Sequence, residues 1–295
     1  MTQNRNIIII LLLKRNRNGG IVLIEVKDLQ KARGENPAID HISFKLNNGA
    51  VYGIFDSDKR AGKTLLALLS GALIPDGGCV RINGFDTVKD PAKARQCVGY
   101  MPAELTPYPD MTPEEYLAFI AELRGLDYED GVRAVHELID AAELRGRKRV
   151  LCIDLTPAEE KRLCLAQALL GDPDILILDD PTDTLGERDT NDMLDRIDLL
   201  AEQKTVFFGS QSPSALRAVC DSILVLSDCK LQGIYAVNDP ALDLIFTDSN
   251  HTDECNGEDV AVSRFANRRR KNKRRPYTPP KKSGEYELID DSDES

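Results

Sequence analysis

Residues 51–64 of this 295-residue chain read VYGIFDSDKRAGKT. The stretch opens with a short apolar run that ends at Asp56, continues as a polar loop, and is followed by leucines at helical spacing. A buried strand, such a loop and a helix, in this order, form the setting in which a GxxxxGK[ST] motif cradles phosphate groups with its backbone N–H groups. The stretch therefore predicts a phosphate-binding loop.

The predicted loop departs from that motif at glycine positions. Ser57 stands where the first glycine belongs, and Arg60 fills a second place at which glycine is usual, so a positive φ there would be costly. Lys63 would reach the β- and γ-phosphates, and the Thr64 hydroxyl would ligate Mg²⁺. Taken alone, the loop fits a solvated turn that contains a lysine about equally well. The residues predicted to bind the nucleotide in this loop are Ser57, Asp58, Lys59, Arg60, Ala61, Gly62, Lys63 and Thr64.

Charge around the loop is mixed. Asp56 and Asp58 bring two carboxylates beside the predicted phosphate site, and Lys59 and Arg60 offset them. Over the whole chain the net charge is -11, which disfavours a chain-wide nucleic-acid binder because phosphates are repelled.

Apolar runs and helical segments alternate along the middle of the chain. The runs that read as strands are 21–26, 39–46, 51–55, 79–82, 175–178, 206–208 and 223–226. Helical periodicity dominates 112–170, and helix starts are predicted at Thr112 and Thr156, each followed by proline and acidic residues. Uniformly apolar strands that alternate with helices predict an α/β fold with a parallel sheet covered on both faces.

The composition excludes several other classes of protein. The seven cysteines are scattered without a CxxC pair, and the three histidines stand apart, so neither a disulfide framework nor a histidine metal site is predicted. The apolar run at 7–13 is too short to span a bilayer, which takes about 20 residues. Residues 1–21 form a low-complexity extension that we interpret as translated upstream sequence, with the expected start near Val22.

Three later blocks decide between the alternatives. Residues 98–112 read VGYMPAELTPYPDMT, residues 155–170 read LTPAEEKRLCLAQALL, and residues 171–182 read GDPDILILDDPT. In this order and at this spacing, and together with the loop, they resemble the Gln-loop, signature helix and Walker B segments of ABC transporter ATP-binding subunits, especially those of the bacterial exporter branch. The resemblance covers nearly all of 24–231, and the predicted ATP-binding domain is 22–235.

The resemblance implies a P-loop NTPase (RecA-like) core with a parallel sheet, an N-terminal antiparallel β subdomain and a helical subdomain. It implies ATP and Mg²⁺ as cofactors, and a head-to-tail dimer of like or unlike ATP-binding subunits. It also implies a transmembrane permease subunit as partner, which docks near 108–126. The expected location is cytoplasmic, peripheral at the inner face of the cell membrane.

The resemblance also assigns binding residues outside the loop. Arg33 falls on the adenine-stacking aromatic, and a guanidinium can still stack on a base. Asp179 falls on the Walker B aspartate and, with Thr64, is the predicted metal ligand. The signature positions fall on Thr156, Pro157, Ala158 and Glu159.

Most positions that serve hydrolysis are altered. Asp180 falls on the catalytic glutamate, and Gln211 falls on the switch histidine. Ala103 replaces the Gln-loop glutamine and can ligate neither Mg²⁺ nor water, and Gly186 replaces the D-loop aspartate. Because the groups that aim water and stabilise developing charge are lost, we expect Mg-ATP binding with slow or partner-assisted hydrolysis.

Two alternatives stay open. A non-hydrolysing regulatory or scaffold protein would use ATP as a structural ligand, whereas a nucleic-acid-associated ABC protein is disfavoured. Residues 236–295 are predicted to be a polar, charged, disordered tail with a basic block at 268–275. That block could contact an anionic membrane surface or nucleic acid, or could simply neutralise the acidic residues that follow it.

Overall fold

The computed structural model describes residues 23–57 and 61–249. Within these residues the strands are β1 Leu23–Arg33, β2 Asn36–Asn47, β3 Val51–Asp56, β4 Gly77–Ile82, β5 Phe85–Asp86, β6 Val98–Met101, β7 Ile175–Asp179, β8 Thr205–Gly209, β9 Ser222–Ser227 and β10 Lys230–Ala236. The helices are α1 Gly62–Leu69, α2 Pro91–Gln96, α3 Pro113–Leu123, α4 Tyr128–Ala141, α5 Pro157–Leu169, α6 Glu187–Leu200, α7 Pro213–Val219 and α8 Ala241–Ser249, with a 3-10 turn at Cys152–Asp154.

The central sheet has the strand order β10-β9-β3-β8-β7-β6, and all its pairings are parallel except that of β10 with β9. Every residue of β3, β7 and β8 is buried. Strands that carry apolar side chains on both faces must be covered on both sides, and helices supply the cover. The predicted parallel sheet is therefore confirmed.

The second sheet is antiparallel, with the order β2-β1-β4-β5. From Ile42 onward β2 alternates buried and exposed residues, as a strand does when one face packs on a core and the other meets solvent. Its inner face joins Tyr52 and the leucines of α1 in one hydrophobic cluster. The expected N-terminal antiparallel subdomain is confirmed.

The helices α3, α4 and α5 form a region with its own hydrophobic cluster, which includes Tyr116, Val135, Ile139 and Leu163. Both predicted helix starts are found. Thr112 and Thr156 each accept the backbone N–H of the residue three positions later, whose glutamate side chain accepts the threonine N–H in return. The expected helical subdomain is also confirmed.

A close approach fixes this region against the sheet. A Cβ at Gly99 in β6 would lie 1.9 Å from the backbone carbonyl oxygen of Ala168 in α5. Only glycine leaves room for the two backbones, so this strand residue sets the distance between α5 and the sheet.

The helix α8 lies within the segment for which the sequence predicts a polar tail. Its Leu242 and Phe246 are buried, and the Phe246 ring packs edge-on against Phe55 at 4.8 Å between centroids. The packed part of the chain thus continues past the expected boundary at 235. The N-terminal extension and the basic block lie outside the described residues.

Within the described part of the chain, no helix combines the length and the apolar character needed to cross a membrane.

Candidate nucleotide-binding site

Four strands of the central sheet end at one edge, and the polar segments that follow them meet there. Asp56 and Asp179 are the last residues of β3 and β7. Gly209, at the end of β8, pairs with both Ile54 and Asp179, and Met101, at the end of β6, pairs with Leu178. Because carboxyl ends of parallel strands share an edge, side chains from segments far apart in the chain come together.

The predicted phosphate loop joins β3 to α1 at this edge. Ser57 donates its N–H to the carbonyl of Leu226 at 3.2 Å, which fixes the start of the loop on the neighbouring strand. α1 begins at Gly62, so its positive dipole end faces the loop. Lys63 is exposed and Thr64 is half-buried. Asp58, Lys59 and Arg60 lie outside the described residues.

The Asp56 carboxylate is hydrogen-bonded to the C-terminal end of the phosphate loop. Asp56 is 1% exposed, and its Oδ2 accepts the N–H of Ala61 at 2.6 Å and the N–H of Gly62 at 2.9 Å. Lys63, next in the chain, has its Nζ 3.6 Å from the carboxylate of Glu104. Three groups of the predicted phosphate site, two backbone N–H groups and the Lys63 ammonium, thus contact carboxylates of the chain itself.

Asp179 is a buried carboxyl beside a second acid. It is 5% exposed and accepts the backbone N–H of Ala103. Burial, and then the charge of Asp180, raise the pKa of Asp179 to about 6, although Lys63 and Lys161 act in the opposite direction. The side chain is therefore a hard oxygen ligand that is ionised at neutral pH at a cost.

Asp180 is held in an unusual backbone conformation. Its φ is +44°, in the left-handed region that non-glycine residues seldom adopt, and its N–H donates to the carbonyl of Gly209 at 3.0 Å. Its carboxylate accepts the backbone N–H of Gln211, and burial raises its pKa. The predicted catalytic carboxylate and the residue at the switch position are thus linked through a backbone hydrogen bond, while the Gln211 side chain is exposed.

Lys161 on α5 links this edge to the helical region. Its Nζ donates to the carbonyls of Ala103 at 3.3 Å and of Asp180 at 3.4 Å. The ammonium group lowers the pKa of both Asp179 and Asp180. The sequence shows that a lysine follows the predicted signature. Helical periodicity does not indicate which loops the side chain of this lysine contacts in the folded protein.

The signature segment is the first turn of α5. Glu159 closes the capping box on Thr156, and Arg147 lies 3.2 Å from its carboxylate. Against the effect of burial, the hydrogen bonds from Thr156 and the charge of Arg147 lower the pKa of Glu159. Because the carboxylate stays ionised and Pro157 lacks an N–H, this helix end is a weaker anion site than its dipole alone suggests.

Arg33 belongs to the antiparallel sheet and not to the central sheet. It is the exposed last residue of β1, where the hairpin turns into β2, and it pairs with Asn36. Its predicted contact with adenine stays a prediction.

A family model described as ABC transporter matches residues 39–183. The match runs from β2 through the phosphate loop to the turn after Asp180, and so includes the ends of β3, β6 and β7. Residues 39–183 thus form an ABC transporter domain.

Several relatives of this ABC-type chain are ATP-binding proteins by name. The linearmycin resistance ATP-binding protein LnrL of Bacillus subtilis is 25% identical over 213 residues, which cover 72% of this chain and 68% of that protein. The ABC transporter ATP-binding protein NatA of the same organism is 29% identical over 191 residues, 64% of this chain and 78% of the relative. A solved dimeric bacterial ABC transporter cassette aligns with a TM-score of 0.66 at 20% identity, covering 73% of this chain and 99% of the cassette. That likeness supports the fold.

In this ABC-type chain the tertiary structure brings together Lys63, Asp179, Asp180 and the backbone of Gln211. The signature turn lies at the start of α5, and Lys161 of the same helix reaches the edge. Across residues 23–57 and 61–249, no group of three His, Cys, Asp or Glu side chains forms a metal cluster by itself. A cation at this edge would need ligands from a bound nucleotide as well as from the protein.

Proposed function

We propose that this chain is the nucleotide-binding subunit of an ABC transporter and that it binds Mg-ATP at the edge of the central sheet. The observation that carries the proposal is that the Lys63 ammonium acts on the buried carboxyl group of Asp179 and on the half-buried carboxyl group of Asp180. In this proposal Lys63 is the cation for the β- and γ-phosphates and Asp179 is the oxygen ligand for Mg²⁺, on the loop and strand end that the family match covers.

The donor set suits magnesium. Thr64 and Asp179 offer a hydroxyl and a carboxylate, which are hard oxygen ligands, and Mg²⁺ commonly takes one or two protein ligands together with substrate phosphates. Burial, and then the charge of Asp180, raise the pKa of Asp179 despite Lys63 and Lys161, so a cation bound here would favour the ionised carboxylate. When bound, Mg²⁺ neutralises charge on the phosphates.

The residues of this chain hold the nucleotide better than they activate water. Ala103 has no side-chain ligand for water or Mg²⁺, and the Asp180 carboxylate accepts the N–H of Gln211. A general base must lie within hydrogen-bond reach of the attacking water, so this carboxylate would first have to leave its backbone partner. We therefore propose that hydrolysis is slow in the isolated chain and depends on a partner subunit.

The proposed partner is a separate membrane-spanning permease subunit, which would place this chain in the cytoplasm at the inner face of the cell membrane. Tyr108 is 50% exposed and Leu123 is 67% exposed, and Tyr108 packs edge-on against Phe119 on α3. An exposed apolar and aromatic surface of this kind is suited to protein contacts. We propose it as the docking surface, and we propose a dimer of ATP-binding subunits with the signature turn of one chain facing the phosphate loop of the other.

A regulatory role without hydrolysis is the second candidate, favoured by the engaged Asp180 carboxylate. Calorimetric titration with Mg-ATP, on the parent chain and on Lys63→Ala, tests binding, which both candidates require. Binding by the parent that the variant loses supports the site, whereas no binding by the parent contradicts it. Steady-state ATPase assays with the permease reconstituted then separate the candidates, because only the transporter subunit gains turnover.

A further inference from the structure

The end of the phosphate loop already contains an oxyanion that belongs to the chain. The Oδ2 atom of Asp56 accepts the N–H of Ala61 and the N–H of Gly62, at 2.6 and 2.9 Å. The side chain is 1% exposed, so water does not compete for these bonds. Hydrogen bonds from N–H groups to an ionised, buried carboxylate are stronger than those between neutral groups.

These two N–H groups are the kind through which a phosphate loop works. Successive backbone N–H groups at the start of a helix form a concave site for an anion, and the helix dipole adds to its attraction. α1 begins at Gly62, so the Asp56 carboxylate lies at its positive end. Each N–H carries a single hydrogen, and a phosphate oxygen can accept it only when Asp56 releases it.

The lysine of the same loop has an acidic neighbour as well. Lys63 Nζ lies 3.6 Å from the Glu104 carboxylate, with side chains that are 57% and 91% exposed. An ion pair this exposed is weak and screened by salt. Of the two contacts, the buried one of Asp56 is therefore expected to have the larger effect on the loop's affinity for phosphate.

We propose that Asp56 is an internal competitor of the nucleotide's phosphate and sets the affinity of this site. The inference rests on the proposed Mg-ATP site and names a residue that weakens it. When the nucleotide enters, the carboxylate has to give up both N–H groups, and its negative charge stays beneath the incoming phosphate. The parent chain is consequently a weak binder of triphosphate, and relief of this contact converts it into a tighter one.

The test compares the binding of Mg-ATP and of pyrophosphate by calorimetry in three full-length proteins. The parent is measured beside Asp56→Asn, which keeps an acceptor oxygen but removes the charge, and beside Asp56→Ala, which removes both. The matched control is Asp221→Asn, because the Asp221 carboxylate also accepts a backbone N–H, that of Val51 at 2.8 Å, but at the opposite end of β3 from Asp56. Circular dichroism verifies that each protein is folded.

We expect Asp56→Asn and Asp56→Ala to bind both ligands at least about tenfold more tightly than the parent, which corresponds to about 1.4 kcal/mol. The control should keep the parent's affinity. If Asp56→Ala does not fold, Asp56→Asn decides the question by itself.

Affinity in folded Asp56→Asn that equals or falls below the parent's overturns the inference. When the parent nevertheless binds Mg-ATP and loses it in Lys63→Ala, the proposed function stands and only the competitor role is lost. No binding in the parent and in both Asp56 variants contradicts both proposals. Tight binding by the variants alone supports both the site and its internal competitor.

Discussion

Replacing Asp179 with asparagine is expected to make the protein more stable while it weakens Mg-ATP binding. Burial and the neighbouring Asp180 raise the pKa of Asp179 from 3.8 to about 6, so ionisation of this carboxyl opposes folding. A difference of this size between the folded and unfolded pKa corresponds to about 3 kcal/mol. The asparagine side chain is not charged, and its amide oxygen can still accept the N–H of Ala103.

The sign of the pH effect follows from proton binding. Between about pH 4 and pH 6 the folded protein keeps a proton on Asp179 that the unfolded chain has released, so this group's contribution to stability is lost as the pH rises through that window. Above about pH 6 the loss is complete. The stability gained by Asp179→Asn should therefore be about 3 kcal/mol at pH 8 and shrink toward about 1 kcal/mol at pH 4.5.

Urea unfolding of the nucleotide-free parent and Asp179→Asn, at both pH values, measures this difference. Asp221→Asn serves as the control, because it removes another carboxylate that accepts a backbone N–H, that of Val51, but lies away from the acid pair. A variant that is no more stable than the parent at pH 8, or a gain that does not depend on pH, would refute the reasoning. Mg-ATP titration of the same proteins should show that the more stable variant is the weaker binder, a trade-off common at functional sites.

Three further perturbations test the packing, the site and a helix end. Gly99→Ala should destabilise the fold by about 3 kcal/mol or more in urea unfolding, because the added Cβ would lie 1.9 Å from a carbonyl oxygen of α5, whereas Gly146→Ala, with open space around its Cβ, should be nearly neutral. Equal effects of the two substitutions would contradict the close approach. Lys161→Gln should move the pH midpoint of Mg-ATP binding upward, because its ammonium group lowers the pKa of Asp179, and an unchanged midpoint would exclude that role. Thr112→Ala should cost about 1 kcal/mol in the same unfolding assay through loss of the cap on α3, and Thr112→Ser should restore most of it.

Much of the fold could be predicted from the sequence because it depends on local patterns. Uniformly apolar runs predict strands buried on both faces, and a threonine three residues before a glutamate predicts a helix start. The helix α8 was missed because its two buried side chains, Leu242 and Phe246, are too few to give a clear periodicity in a polar segment. Its order comes from contacts with Phe55 and Arg217, which are distant in the chain.

The candidate site could be predicted in part. Lys63, Thr64 and Asp179 were singled out from motifs whose spacing survives, and the structure places the lysine and the aspartate at one edge. Lys161 was not singled out, since no short-range pattern indicates that a helix residue will reach two loops from other elements. Asp56 was noted as a charge beside the site, but its contact with the loop N–H groups was not foreseen.

The amino-acid sequence by itself determined the order of the buried strands, the helix starts at Thr112 and Thr156 and the loss of polar groups at the hydrolysis positions, because each of these is a matter of residue type and short spacing. Only the tertiary structure decided that Asp56 turns beneath the loop, that Lys161 bridges two strand ends, and that Asp179 holds its proton to about pH 6. The physical reason is that hydrogen-bond partners and desolvation depend on which residues meet after the sheet has formed. The periodicity of residues along the chain does not indicate these tertiary contacts.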